Sequence, residues 1–184
     1  MQATIALKPS PYLAGILFGD GTSHKAANGA YSVWIDQVDK EILKQIVVPQ
    51  LETLGSKVYF YSYFAKADNV RKWRALIHSK KIYLWFKELK QDPSKYVEQL
   101  SNEALKEFVA GLFDAEGTIT DRLVFYNKNK ELLDKVKERL DAIGIKSNLY
   151  KFGKVYGVQL YRKEYVEKFR ALIPSFRLKV HSAD

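Results

Sequence analysis

The chain has 184 residues, 47% of them hydrophobic, which suits one domain or two small fused domains. Its formal net charge of +9 favours a polyanionic partner such as nucleic acid over a small neutral metabolite, although solubility alone is another reason for basicity. The absence of cysteine excludes disulfides, thiolate zinc sites and cysteine nucleophiles. Because neither a signal-peptide pattern nor an apolar run of membrane-spanning length occurs, we expect an intracellular, cytoplasmic protein.

Hydrophobic periodicity divides the chain into two similar halves, each with the predicted order αββαββα, in which three of the four strands of each half are given a range. Pro49 should kink or split the second helix of the first half. In chain order, the first half is predicted to contain a helix ending at 20, a strand at 30–38, a helix at 42–54, strands at 57–64 and 72–77, and a helix at 80–89. The second half is predicted to contain a helix ending at 116, a strand at 123–126, a helix at 132–143, strands at 149–152 and 155–160, and a helix at 163–172. We therefore expect an N-terminal half at 1–90, a linker at 91–103 where a proline interrupts the helical pattern, and a C-terminal half at 104–184.

The helices that open the halves carry nearly the same sequence. Residues 13–21 are LAGILFGDG and residues 109–117 are VAGLFDAEG, and their acids, Asp20 and Glu116, lie 96 residues apart. Small residues four apart on one face of each helix would let the two backbones approach closely. The repeat therefore predicts a pseudo-two-fold molecule with the motif helices packed together; two unrelated buried helices with chance glycines are the alternative. The small residues are Gly15 and Gly19 in the first helix, and Gly111 and Ala115 in the second.

The two acids occupy an electrostatically poor position. Each lies in the last turn of its helix, where the helix dipole disfavours an anion, and parallel packing of the helices brings the like charges together. A divalent cation would compensate both the unfavourable helix dipole and the repulsion between the two carboxylates. Mg²⁺ is commonly held by one or two carboxylates together with water and phosphate oxygens. We expect Asp20 and Glu116 to be metal ligands, with backbone carbonyls at the helix ends as further ligands. An exposed acid at a helix end explains either copy alone but not the pair.

The two segments resemble the signature of the LAGLIDADG homing endonucleases, in the single-chain, two-motif form of the archaeal intron-encoded type. The resemblance covers nearly the whole chain: both motifs, their separation and the element order of each half. Phe18 departs from the family's signature, because it stands where the first aspartate of Asp-Ala-Asp would stand. Glu116 replaces the final aspartate of the second motif.

The resemblance implies an α+β fold with two saddle-shaped antiparallel sheets and the two motif helices packed at the interface. It implies a monomeric, site-specific endonuclease of intron homing, with double-stranded DNA as its partner and no obligate protein partner. Such an enzyme recognises a long asymmetric site and cuts across the minor groove, leaving short 3′ overhangs. The expected cofactor is Mg²⁺, with Mn²⁺ substituting and Ca²⁺ supporting binding without cleavage.

The resemblance also implies roles for individual residues around the two acids. The carbonyls of Gly19 and Ala115 match metal-binding positions, and Gln37 and Asn127 match a polar catalytic residue at the end of a strand. Family members also place a lysine near each site. The candidates are Lys95 and Lys179, with Lys128 or Arg122 as alternatives.

The predicted strands carry many side chains suited to DNA, although alternation means that only one face of each strand can contact it. Arginine and glutamine can pair bidentately with guanine and adenine edges, respectively. The segment at 22–25 is predicted to be a turn that also contacts DNA. The candidate DNA-binding residues are Thr22, Ser23, His24, Lys25, Trp34, Asp36, Tyr61, Tyr63, Lys66, Lys72, Arg74, Arg122, Tyr126, Lys128, Tyr150, Lys151, Lys154, Tyr156, Gln159 and Tyr161.

Two other functions stay open at this point. An RNA-splicing maturase or a non-cleaving DNA-binding protein would keep the fold and lose the cutting. A structural protein whose repeat merely builds a two-fold core would show no dependence on Asp20.

Overall fold

Each half of the chain folds into a four-stranded antiparallel sheet with helices against one face. The computed structural model describes residues 9–180. The elements of the first half are α1 (Pro11–Asp20), β1 (Gly21–Lys25), β2 (Tyr31–Gln37), a π-helical turn (Ile42–Val47), α2 (Val48–Glu52), β3 (Val58–Ala65), β4 (Val70–His78) and α3 (Lys80–Gln91). After α4 (Pro93–Glu98), those of the second half are α5 (Asn102–Glu116), β5 (Gly117–Ile119), β6 (Leu123–Asn127), α6 (Lys130–Ala142), β7 (Asn148–Phe152), β8 (Val155–Leu160), α7 (Lys163–Leu172) and α8 (Phe176–Val180).

The two sheets have the same topology. Their strand orders are β1-β2-β4-β3 and β5-β6-β8-β7, with every neighbouring pair antiparallel. The edge strands β1 and β5 begin directly after the motif helices α1 and α5. The predicted α+β fold with a pseudo-two-fold αββαββα repeat is therefore confirmed.

Glycines allow the two motif helices to pack backbone against backbone. A Cβ atom at Gly15 would lie 2.1 Å from the Phe108 carbonyl oxygen, and one at Gly111 would lie 2.0 Å from the Tyr12 carbonyl oxygen. Nearer the acids, a Cβ atom at Gly19 would lie 2.3 Å from the Cβ of Ala115. The small residues of the repeat thus have the packing role predicted for them.

The hydrophobic core is continuous through both halves. Leu13, Ile16 and Leu17 of α1 and Val109 and Leu112 of α5 are fully buried at its centre, and the inner faces of both sheets close around them. No helix between residues 9 and 180 has the length and apolar character needed to cross a membrane.

Pro49 splits the second helix of the first half, as predicted. The turn before it is π-helical, and the Val48 N–H bonds to the Leu43 carbonyl five residues earlier. Proline lacks the N–H that would continue the ladder, so the chain restarts as α2 with Pro49 in its first turn.

The predicted linker at 91–103 is largely helical. Helix α3 extends through Gln91, Asp92 caps α4, and α5 begins at Asn102, ahead of the predicted boundary. The guanidinium of Arg139 in α6 donates to the carbonyls of Val97, Glu98 and Leu100 at 3.0, 2.8 and 2.7 Å. The connection between the halves is thus fixed to the second half by hydrogen bonds.

Candidate active site between the motif helices

The two motif acids lie together at the C-terminal ends of α1 and α5. Both are partly buried, and Gly21 and Gly117 immediately lead the chain into the edge strands. Burial, and secondly the negative charge of Glu116, raise the pKa of Asp20 to about 8. Burial also raises the pKa of Glu116, against the opposing effect of Arg177 and Lys128. The site therefore concentrates negative charge that the protein alone compensates incompletely.

Gln37 and Asn127, the two predicted polar residues, both reach the end of α1. The side-chain amide of Gln37 donates to Asp20 Oδ2 within its own half. Asn127 Nδ2 crosses between the halves and donates to the Phe18 carbonyl at 3.1 Å. The two residues occupy matching strand ends but make different contacts, so the site is asymmetric.

Three basic side chains surround the acids. Arg177 and Lys72 lower the pKa of Asp20, while Arg177 and Lys128 lower that of Glu116. Lys72 also forms an ion pair with Asp68 four residues earlier, and Lys128 is exposed. Arg177 acts on both acids and was absent from the sequence prediction.

Arg177 is held in place by Asp114, a fully buried carboxylate in the second motif. Asp114 accepts hydrogen bonds from the Tyr12 hydroxyl at 2.8 Å, from the Ser175 hydroxyl, and from the backbone N–H groups of Phe176 and Arg177 at 2.8 and 3.0 Å. The Arg177 guanidinium then donates to the carbonyls of Asp114 and Gly117 at 2.7 and 3.1 Å. Charge-assisted hydrogen bonds of this kind are short and strong, so α8 is bound firmly to the end of α5.

The structure does not bring Lys95 and Lys179, the predicted lysines, to the acids. Lys179 lines a cavity of about 400 Å³ together with Tyr12 and Glu107, near the N-terminal ends of the motif helices. Lys95 is exposed on α4 beside Tyr96, whose ring packs 5.7 Å from that of Phe108. Since a helix rises about 1.5 Å per residue, Tyr12 and Phe108 lie about 12 Å along the helix axis from the acids of their own helices. The segment after the last helix turns back along α5 from Arg177, which bonds to Gly117, to Lys179 beside Glu107, and the catalytic role of the two lysines stays a prediction.

The open face of the first sheet carries an ordered polar cluster. Arg74 pairs bidentately with Asp36, at 2.7 Å for both Nε and Nη2, and Tyr63 donates to the same carboxylate at 2.9 Å. The guanidinium also lies 4.8 Å from the ring centroids of both Trp34 and Tyr63. Strand register places further predicted DNA-binding residues on this face, namely Thr22, His24, Tyr61 and Lys72.

The open face of the second sheet is more aromatic. The rings of Tyr126 and Tyr150 lie 5.4 and 6.3 Å from that of Phe152. A Cβ atom at Gly157 would lie 2.9 Å from the Phe152 ring, so glycine there makes room for the cluster. Gln159 shares the face, and with its amide oxygen turned toward Arg122 it accepts from Nη1 at 2.8 Å.

Four of the candidate DNA-binding residues lie on the faces that the helices cover. The predicted turn at 22–25 is strand β1, so Ser23 and Lys25 alternate onto the face of buried Val33, and Lys25 lies over the ring of Tyr31. Tyr156 packs against the core, and Lys151 is paired with it on the same side of the second sheet. The remaining three candidates, Lys66, Lys154 and Tyr161, are exposed outside the strands.

The donors at the helix ends suit a hard divalent cation. They are two carboxylates with raised pKa values and the carbonyls of a last helical turn, which lack partners within the helix. Hydrogen bonds from Asn127 and Arg177 occupy the carbonyls of Phe18 and Asp114. The next carbonyls along the chain are those of Gly19 and Ala115, which immediately precede the acids in the sequence and stay predicted metal ligands. No cluster of three or more His, Asp or Glu side chains that could hold a metal occurs within residues 9–180, so a cation at the two acids would take its other ligands from carbonyls, water or phosphate oxygens.

Comparison with known proteins agrees with this geometry. The family described as LAGLIDADG-like domain matches residues 103–174, which span the second motif and most of its half. The homing endonuclease I-DmoI of Desulfurococcus mucosus is 28% identical over 149 residues, covering 77% of this chain and 73% of that protein. The second half of the chain therefore matches the LAGLIDADG-like domain family, and most of the chain is similar to I-DmoI.

Solved structures extend the similarity to both halves of the chain. A crystal structure of I-DmoI in complex with DNA and calcium superposes with a TM-score of 0.72 at 26% identity, covering 91% of this chain and 90% of that one. A glycine-to-serine variant of I-DmoI, with its target DNA in the presence of magnesium, gives a TM-score of 0.71 at 25% identity, covering 89% and 93%.

Proposed function

We propose that this protein is a LAGLIDADG endonuclease, site-specific and dependent on a divalent metal, that cuts both strands of DNA. The observation that carries the proposal is the meeting of Asp20 and Glu116, one acid from each half, between two sheets with open faces. One acid per half suits a substrate with two strands. The relationship to I-DmoI, whose structures contain DNA and calcium, supports the same conclusion.

The metal would be held by Asp20 and Glu116 together with the carbonyls of Gly19 and Ala115. When bound, Mg²⁺ would polarise phosphoryl oxygens and neutralise the charge that develops as the phosphodiester is hydrolysed. The raised pKa values of both acids support this assignment, because they identify carboxylates whose negative charge the protein leaves partly uncompensated.

The surrounding side chains would order the water and the phosphate. Hydrolysis breaks the bond between phosphorus and the 3′ oxygen and leaves a 5′ phosphate and a 3′ hydroxyl. Gln37, which donates to Asp20, would fix the orientation of that carboxylate, and Asn127 would hold the end of α1 through the Phe18 carbonyl. Lys72 and Lys128 would stabilise phosphate charge on either side of the acids.

The open sheet faces would bind the DNA flanking the cut. The first face offers arginine, lysine and histidine, whereas the second offers tyrosine, phenylalanine and glutamine around a glycine. Faces of different chemistry suit a long target site with two different half-sites, bound by a monomer. Cutting across the minor groove at its centre, with short 3′ overhangs, completes the proposal.

Selection of cleaved molecules from a randomised DNA library tests the proposal and identifies the target sequence in the same experiment. Incubation with Mg²⁺ should enrich one asymmetric sequence whose ends carry short 3′ overhangs, while Ca²⁺ should support binding to that sequence without cleavage. Retained binding with no cutting in Mg²⁺ or Mn²⁺ would instead favour a DNA-binding regulator of the same fold.

A further inference from the structure

The repeat that relates the two motifs also relates the residues behind them. Tyr12 corresponds to Phe108 and Phe18 to Asp114, each pair 96 positions apart. After the last helix of each half, Pro93-Ser94 and Pro174-Ser175 match at a separation of 81 positions. The same separation relates Tyr96 to Arg177, so the two quartets can be compared directly. They are Tyr12, Asp114, Ser175 and Arg177 behind the second motif, and Phe108, Phe18, Ser94 and Tyr96 behind the first.

The quartet behind the second motif is a polar network. Asp114 accepts from Tyr12, Ser175 and the backbone of Arg177, and the Arg177 guanidinium binds the Asp114 and Gly117 carbonyls on either side of Glu116. Asp114 and Ser175 are completely buried. The last turn of α5 is therefore fixed by a charged group that reaches both acids.

The quartet behind the first motif is aromatic instead. The ring of Phe108 lies 5.8 Å from that of Phe18 and 5.7 Å from that of Tyr96. Phe18 offers no acceptor at the position of the carboxylate, and the buried Oγ of Ser94 has no hydrogen-bond partner among residues 9–180. In place of an arginine, the neutral amide of Asn127 donates to the Phe18 carbonyl at the end of α1.

We propose that Arg177 is a positioning residue that makes the two halves of the active site unequal. Anchored by Asp114, it holds the turn that carries Glu116 and the Ala115 carbonyl, whereas Tyr96 stands at the matching position of the first half. Loss of Arg177 therefore slows the cut that depends on the α5 turn more than the other cut. The enzyme then cuts one strand faster than the other, so that nicked duplex accumulates. This inference rests on the proposed endonuclease function.

Strand-resolved cleavage tests the inference on the selected target, with the two strands labelled differently. Arg177→Met should change the ratio of the two strand rates by about tenfold or more, so that nicked duplex accumulates. Arg177→Lys, which keeps the charge, should restore part of the slower rate. Tyr96→Phe is the matched control at the corresponding position, and it should leave the ratio as in the wild type. Affinity for the target in Ca²⁺ should stay within about threefold for all three variants.

Equal slowing of both strands in Arg177→Met, or an unchanged ratio, would overturn the inference. Should Arg177→Met fail to fold, Asp114→Asn removes the anchoring charge while keeping the shape, and the same bias is expected of it. Failure of the proposed function is a distinct result, because the wild type would then cut neither strand of any selected DNA.

Discussion

Alanine at Gly15 or Gly111 should destabilise the protein strongly, because the new methyl group would strike backbone rather than a movable side chain. The added Cβ atoms would lie 2.1 Å from the Phe108 carbonyl oxygen and 2.0 Å from the Tyr12 carbonyl oxygen. Ordinary van der Waals contact requires about 3.4 Å or more, so the helices must separate by about 1 Å, which forfeits a quarter to a half of the dispersion energy at the contacts. We expect each substitution to cost about 3 kcal/mol, the upper part of the range for overpacked cores.

The double variant sharpens this prediction. Since one separation of the helices relieves both clashes, Gly15→Ala with Gly111→Ala should cost clearly less than the sum of the single substitutions. Urea unfolding followed by circular dichroism measures all three, and a loss of 3 kcal/mol corresponds to a midpoint lower by about 1–2 M. Gly55→Asn is the control, because Gly55 has φ +74° and open space around it, and asparagine tolerates that conformation. Single losses below about 1 kcal/mol, or simple additivity, would refute the backbone-contact reasoning.

Three further predictions follow from particular contacts. Because the folded-state pKa of Asp20 is raised to about 8, ionising it disfavours the folded state increasingly between about pH 4 and pH 8. In buffer free of divalent ions, Asp20→Asn should therefore raise the melting temperature at pH 8.5 and have little effect near pH 4; an effect independent of pH would contradict this. Ser175→Ala should lower the free energy of unfolding in urea by about 2 kcal/mol, because Ser175 bonds to Asp114 and caps α8. Ser94→Ala should be neutral or stabilising, because the Ser94 hydroxyl has no hydrogen-bond partner among the described residues. Equal losses of stability in the two variants would argue against the difference between the two quartets. Lys72→Met should reduce the salt dependence of DNA binding, measured by fluorescence anisotropy, by about one released counterion. Lys25→Met, on the face that the helices cover, should leave the salt dependence unchanged. A larger effect of Lys25→Met than of Lys72→Met would contradict the assignment of the two faces.

Local signals in the sequence were sufficient for most of the fold. Alternation and helical spacing located the sheet strands from β2 onward apart from the short β5, and the repeated motif revealed the pseudo-symmetry. The errors fall where long-range contacts decide the local structure. Thr22-Ser23-His24-Lys25 is polar and resembles a turn, yet pairing with β2 makes it a strand. Likewise, α4 and α8 are only six and five residues long, so contacts with other elements rather than helical periodicity stabilise them.

In the candidate site, too, local sequence signals identify some residues, whereas long-range contacts determine the position of others. Asp20 and Glu116 could be identified because the repeat places an acid at the same electrostatically unfavourable position in both halves, and Gln37 and Asn127 because they match a polar residue of the family that the sequence resembles. Arg177 could not be found in this way, because its place beside the acids depends on hydrogen bonds from α8 to Asp114 across 60 or more residues of chain. Lys95 and Lys179 are predicted from their position after the last helix of each half. That position does not reveal that α8 turns back along α5.

Cleavage of the selected DNA by the wild type and by Asp20→Asn and Glu116→Gln tests the shared active site most directly. Each amide keeps the size of the side chain it replaces and removes one negative charge from the cluster at the helix ends. Both variants should bind the target in Ca²⁺ about as tightly as the wild type and should lose double-strand cutting in Mg²⁺. Full cutting by either variant would contradict an active site built from one acid of each half.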